Sequence, residues 1–179
     1  MNFTQAQHDM RKSYIGGAPG AFASGLVWLS AGLTAYLGSE HISVLVFFFG
    51  GMLIHPLGIL FSKALKRSGK HQKDNPLSVL AMESTFLIFI GLFIAFFMLQ
   101  YESNWFYPVM ALIIGGRYLM FNSLYGMKLY WLFGVTLIIA GVIGIIISPP
   151  FQVLAISGGV IEILFAAVIL KLESGKHTE

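Results

Sequence analysis

Four ionisable side chains interrupt long apolar runs of this sequence. Arg117 lies within the apolar run of residues 105–124, and Glu83, Glu162 and His55 lie inside three other runs. A charge at membrane depth requires a partner or a function. Because a guanidinium carries five donors in a planar fork, it can bridge two carboxylates. We therefore predict a nearly neutral cluster in which Arg117 bridges Glu83 and Glu162, with His55 beside them.

Two interpretations of this cluster are open. Counting about 1.5 Å per helical residue from the cytoplasmic ends of the helices places the four side chains at a common depth of roughly 7–14 Å. In the first interpretation the cluster is open to the cytoplasmic side. It would bind or transport a small anionic or zwitterionic solute or a lipid headgroup, or relay protons. In the second, the cluster is an ion-pair lock in a non-catalytic structural, accessory or stress-related membrane protein.

The residues next to the cluster add weaker signals. Pro56 follows His55 and cannot donate a backbone hydrogen bond, so we predict a kink in that helix. Asn122 and Tyr125 lie three residues apart, on one face of a helix, and would either line the same site or close its cytoplasmic end. A metal site could be drawn from the histidine and the two glutamates, but no His-x-x-x-His or His-Glu-x-x-His spacing supports it. We expect no metal ion.

The composition is that of an integral membrane protein. Hydrophobic residues make up 56% of the chain and charged residues 11%, against about a quarter charged residues in soluble domains. The 179 residues give room for about six spans and for no separate soluble domain. The absence of cysteine excludes thiol catalysis and thiolate metal sites. No nucleophile motif or phosphate-binding loop is present, so we expect neither an enzyme nor a cofactor.

The apolar runs predict an all-α membrane protein with six transmembrane helices in a single domain, residues 1–179. Short connections between the first and second, third and fourth, and fifth and sixth spans predict three helical hairpins. Residues 1–14 carry apolar side chains at intervals of three or four, which indicates a surface helix, although a partly ordered tail is the alternative. The spans are predicted near residues 19–37, 42–61, 78–99, 105–124, 129–147 and 151–171.

The positions of lysine and arginine predict the topology. Apart from Arg117, these residues fall on one side of the six-span arrangement, which marks that side as cytoplasmic. Both termini are then expected in the cytoplasm. The loop of residues 62–77 should face anionic lipid headgroups, and nucleic acid is an improbable partner because no folded basic domain is present. A homodimer is a further possibility. The basic residues of the loop are Lys63, Lys66, Arg67, Lys70 and Lys73.

Glycines and aromatic residues give packing signals. Glycine pairs near the middle of three spans, at residues 50–51, 115–116 and 158–159, favour close helix contacts. The aromatic residues 105–107 and 130–131 are typical of the belts that lie at a membrane surface.

Several stretches resemble a family of small bacterial membrane proteins with no assigned function. They are MRKSYIGGAPG, FFGGMLIHPLG, GKHQKDNPLSVLAMES and IGGRYLMFNSLYGMKLYW, of which the GGRY and HPLG pieces are similar to the signature of that family. The resemblance covers nearly the whole chain. It implies six helices and a bacterial inner membrane, and no activity. The hairpin layout with centred glycines also resembles, at the level of pattern, the HdeD-type six-helix membrane proteins.

Overall fold

The computed structural model describes residues 1–174. These residues form seven α-helices and two 3-10 turns, and no β-strand occurs among them. The all-α class is therefore as predicted. The helices are α1 (Phe3–Tyr14), α2 (Ala18–Leu37), α3 (Glu40–Ala64), α4 (Leu77–Met98), α5 (Phe106–Tyr125), α6 (Leu129–Ile147) and α7 (Phe151–Ser174), and the turns are Ile15–Gly17 and Ser103–Trp105.

The N-terminal segment is a helix that packs against the end of the bundle. Asn2 caps α1 and forms a capping box with Gln5, which satisfies backbone donors of the first turn. Met10 is buried, since α1 lies against α5 and touches α3 and α4. The chain then turns through Gly16 and Gly17, whose φ angles of 59° and 87° are in the left-handed region that favours glycine.

Five helical stretches are long and apolar enough to cross a membrane. They are α1 with α2, then α3, α4, α6 and α7. The sequence predicted six spans, and α5 is the difference. It has 20 residues, enough for a length of about 30 Å, but it carries Arg117, Asn122 and three tyrosines and is less apolar than the others. These polar side chains lie in a helix that packs between α4 and α6.

The helices form two groups of three. In the first, α2 packs between α3 and α7, and in the second, α5 packs between α4 and α6. The two groups meet chiefly where α7 approaches α5 and α6. Consecutive helices are therefore neighbours at α2–α3 and α4–α5, whereas α6 and α7 pack mainly against α5 and α2. On the opposite side α3 and α4 do not pack against each other, and a cavity lies between them.

Glycines permit the closest helix contacts in both groups. A Cβ atom on Gly115 of α5 would lie 2.7 Å from the carbonyl oxygen of Gly134 in α6. A Cβ atom on Gly25 of α2 would lie 2.9 Å from the carbonyl oxygen of Gly159 in α7. Because only glycine lets the backbones approach this closely, the two seams hold α6 against α5 and α7 against α2.

The basic residues gather at one end of the bundle, which we call the loop end. Here α1 and the loop of residues 65–76 lie side by side, and Arg11 of α1 forms an ion pair with Glu173 of α7 at 2.6 Å. The loop is fixed to α1 by hydrogen bonds. Asn75 donates to the carbonyl of Ala6 at 3.0 Å and to Asp9 at 2.7 Å.

Candidate functional site

The cavity between the two groups of helices has a volume of about 590 Å³. This volume lies within the range of small-molecule pockets, about 300–1,000 Å³. Helices α2 and α5 form its back wall, α3 and α4 flank it, and α1 and the loop lie at its loop end. Its polar lining side chains are Tyr14, Ser24, His55, Ser62, His71, Ser78, Thr85, Arg117, Tyr118 and Tyr125.

Arg117 lines this cavity from the middle of α5. Its Nε atom donates to Ser84 Oγ at 3.4 Å, and Nη2 donates to Thr85 Oγ1 at 3.3 Å. Its Cζ atom lies 4.9 Å from the ring centroid of Phe121, in cation–π contact. Both hydrogen bonds are long and go to neutral hydroxyls. The guanidinium charge therefore has no anionic partner in its contacts with the described residues.

The predicted bridge from Arg117 to two glutamates is not formed. Within residues 1–174 the one ion pair within 4.0 Å is that of Arg11 with Glu173. Glu83 is exposed and does not line the cavity. Since each helical residue turns the chain by about 100°, Glu83 points away from Thr85, which faces Arg117. Ser84 and Thr85 occupy the place that we expected Glu83 to take.

Glu162 lies behind the cavity wall. Its side chain is fully buried, and Oε1 accepts a hydrogen bond from the hydroxyl of Tyr118 at 3.0 Å. Its Oε2 atom is buried without a hydrogen-bond partner among the described residues. Tyr118 itself lines the cavity next to Arg117, and its hydroxyl is bonded to this carboxyl group. The structure thus brings Arg117, Tyr118 and Glu162 into one region without an ion pair.

Of the other residues predicted from the sequence, some line the cavity and some do not. His55 lines the cavity from α3, and Tyr125 lines it from the last turn of α5. Asn122 is half-buried and lies outside the lining. Helix α3 continues through Pro56 to Ala64, so the predicted kink does not end the helix.

The three side chains that could have suggested a metal site do not assemble. In the described part of the chain, no group of three histidine, aspartate or glutamate side chains comes close enough to hold a metal ion. Glu83 lies on the exposed face of α4. Glu162 belongs to α7 and is buried in the interior of the bundle. His55, on α3, is left without an acidic companion from this set.

Stacked aromatic rings form the wall behind the cavity. The ring of Tyr118 stacks on Phe133 of α6 at a centroid distance of 3.9 Å, and Phe133 stacks on Phe165 of α7 at 4.4 Å. Tyr125 stacks on Tyr130 at 5.6 Å. Such pairs add to the packing of three helices and fix where the Tyr118 hydroxyl lies.

Sequence reasoning missed several functional candidates. Ser84 and Thr85 directly follow Glu83, and they are the first polar pair of α4 that could meet an arginine on α5. Tyr118 and Phe121 were also missed, although with the predicted Tyr125 they recur at intervals of three and four, which places all three on one face of α5. That spacing was a usable signal. The pairing of Tyr14 with His71, at 2.8 Å across the loop end, had no local signal because 57 residues separate them.

A family model described as "Family of unknown function (DUF7010)" matches residues 3–172. No curated protein and no solved structure matches the chain.

Proposed function

We propose that the chain, which belongs to this family of unknown function, DUF7010, is a multi-pass membrane protein that binds a small anionic molecule in the cavity. The observation that carries the proposal is the guanidinium of Arg117. It lines a cavity of about 590 Å³, and no carboxylate of the described residues lies within 4.0 Å of it.

An anionic ligand would supply the partners that the guanidinium of Arg117 lacks among the described residues. A guanidinium has five donors, and Arg117 uses two of them on hydroxyl groups at 3.3–3.4 Å. An unpaired charge at membrane depth costs about 3 kcal/mol or more. A carboxylate or phosphate on the cavity side of Arg117 would neutralise the charge and accept its remaining donors. A polar zwitterion with an exposed carboxylate satisfies the same requirement.

The membrane arrangement is part of the proposal. We take α5 as a sixth crossing, because it has the length of a span and packs between α4 and α6. We place the loop end in the cytoplasm of a bacterial cell, at the inner membrane, because the lysines and arginines gather there. Both termini are then cytoplasmic. The exposed side chains of Lys63, Lys66, Lys70 and Lys73 would meet anionic lipid headgroups.

Native mass spectrometry of protein extracted gently from its own membranes tests the binding. We expect a retained anionic adduct in the wild type and its loss in Arg117→Gln, which removes the charge and keeps a polar side chain. The matched control is the double variant Ser84→Ala with Thr85→Val, which leaves the guanidinium in place and should retain the adduct. A bare wild-type protein whose melting temperature is unaffected by added carboxylates and phosphates would overturn the proposal.

A second candidate function is the structural lock. It is favoured by one observation, since the two hydrogen bonds of Arg117 join α5 to α4, and α4 packs chiefly against α5. A lock predicts equal losses of melting temperature in Arg117→Gln and in the Ser84→Ala, Thr85→Val double variant. Ligand binding predicts that the adduct depends on Arg117 alone.

A further inference from the structure

The cavity has an open side between α3 and α4. These two helices both contribute lining residues, yet they do not pack against each other. Several lining side chains of these two helices are exposed. They are Met52 and His55 on α3, and Met82, Thr85 and Phe89 on α4.

The loop end of the cavity is covered. Tyr14 and His71 both line it there and are joined by a hydrogen bond of 2.8 Å between the Tyr14 hydroxyl and His71 Nδ1. The amide of Gly69 donates to the carbonyl of Ser13 at 3.1 Å, which ties the loop to α1 again. A ligand could enter through the loop end only if the loop moved away from α1. Entry through the gap between α3 and α4 does not require the loop to move.

The lining changes in polarity along the cavity. Hydroxyl and imidazole groups lie at the loop end, and Arg117 lies in the middle. Beyond Arg117 the lining becomes apolar, which suits a hydrocarbon chain. The apolar side chains at that end are Val27, Phe47, Phe48, Leu92 and Met110.

The cavity is elongated along the helices. It follows α3 from Phe47 to Ser62, which at 1.5 Å per residue is a length of about 22 Å. A cavity of this length with an apolar end has room for part of a hydrocarbon chain beside a headgroup.

We infer that the ligand is an amphiphile with an anionic headgroup and a hydrocarbon chain, which enters from the bilayer through the gap between α3 and α4. This inference rests on the proposed anion binding at Arg117 and adds the chain and its route. The headgroup pairs with Arg117 within reach of the polar loop end. The first part of the chain lies along Phe47 and Leu92, and the rest of a long chain extends through the gap into the bilayer. A gap that opens sideways from a membrane protein meets acyl chains, which is where such a molecule resides.

Binding to the protein in nanodiscs of neutral lipid tests the chemical class. The probes are palmitate, hexanoate and hexadecyltrimethylammonium, which vary the chain and the charge separately. We expect palmitate to bind, to lose affinity by about 30-fold in Arg117→Gln, and to outcompete the other two. Hexanoate bound through Arg117 without palmitate binding would overturn the inference and leave the anion site standing. If the wild type binds neither acid, the inference fails, and the proposed anion binding fails with it if inorganic phosphate does not bind either.

Labelling with a photoreactive diazirine analogue of palmitate tests the route. Met82→Trp should narrow the gap and slow labelling severalfold, whereas Phe86→Trp should not. These two residues of α4 are similarly exposed, at 57% and 59%, but only Met82 lines the cavity. Met52→Trp and Leu53→Trp repeat the comparison on α3, at 54% and 55% exposed. Equal labelling within both pairs would overturn lateral access.

Discussion

At the scale of single residues, a buried carboxyl group accepts a hydrogen bond from the hydroxyl of Tyr118. Glu162 is fully buried, and the bond from Tyr118 at 3.0 Å reaches one of its oxygens while the other has no described partner. A buried acceptor that loses its donor costs about 1–3 kcal/mol. The stability of this region should therefore respond to the pair rather than to either side chain alone.

We expect Tyr118→Phe to destabilise the ligand-free protein by about 1–3 kcal/mol. The double variant Tyr118→Phe with Glu162→Leu should recover most of this loss, because replacing both partners by apolar groups removes the unsatisfied acceptor. Thermal unfolding in detergent measures both variants. Additive losses in the double variant would show that the hydrogen bond is not what holds Glu162 in place.

At the scale of helices, close backbone contacts at glycines hold neighbouring helices together. Apolar burial does not drive helices together in lipid, so packing at small residues has to do so. The seam of α5 with α6 runs through Gly115 and Gly134, where a methyl group would meet a carbonyl oxygen at 2.7 Å. The neighbouring Gly116 meets nothing within 4 Å, which makes it a matched control on the same helix.

Gly115→Ala should lower stability by about 1–3 kcal/mol, because the backbone of α6 would have to move away. Gly116→Ala should leave the melting temperature unchanged or slightly higher, since alanine has the better helix propensity. Thermal unfolding of the two variants side by side gives the comparison. If Gly115→Ala is as stable as Gly116→Ala, the seam is not tightly packed.

The loop that covers the cavity depends on Asn75. This side chain is 1% exposed and bonds to Ala6 and Asp9 of α1, and its Oδ1 atom accepts from the amide of Leu77. Asn75→Ala should free the loop and accelerate cleavage by trypsin at the lysines of residues 66–73. Gln72→Ala serves as the control, because Gln72 bonds to Asp9 through its backbone amide. Equal cleavage rates would mean that other contacts hold the loop.

At the scale of the whole molecule, the sequence predicted the helices better than their arrangement. The span predicted at 78–99 is α4, Leu77–Met98, because polar turns bound the apolar run on both sides. Within such a run nearly every residue is apolar, so no amphipathic pattern indicates which face turns inward. Glu83 was therefore placed on the wrong face. Likewise Phe106 and Tyr107, expected at the membrane surface, are fully buried between helices.

The crossing of α5 is the prediction that decides the whole topology. If α5 crosses, its two ends lie on opposite sides of the membrane, and if it does not, they lie on the same side. The chain has no cysteine, so single cysteines can be introduced as reporters. Gln100 and Lys128 are both exposed and flank α5, and Ser68 reports on the basic loop.

In intact bacterial spheroplasts, a membrane-impermeant maleimide should label Gln100→Cys. It should label Lys128→Cys and Ser68→Cys only after permeabilisation, because lysine and arginine resist translocation. Labelling of Gln100→Cys and Lys128→Cys from the same side would reduce the count to the five stretches that are apolar enough on their own. Arg117 would then lie in a helix that enters the membrane without crossing it, where water could reach its charge. A six-crossing result instead leaves that charge at membrane depth, which is the condition under which an anionic ligand is required.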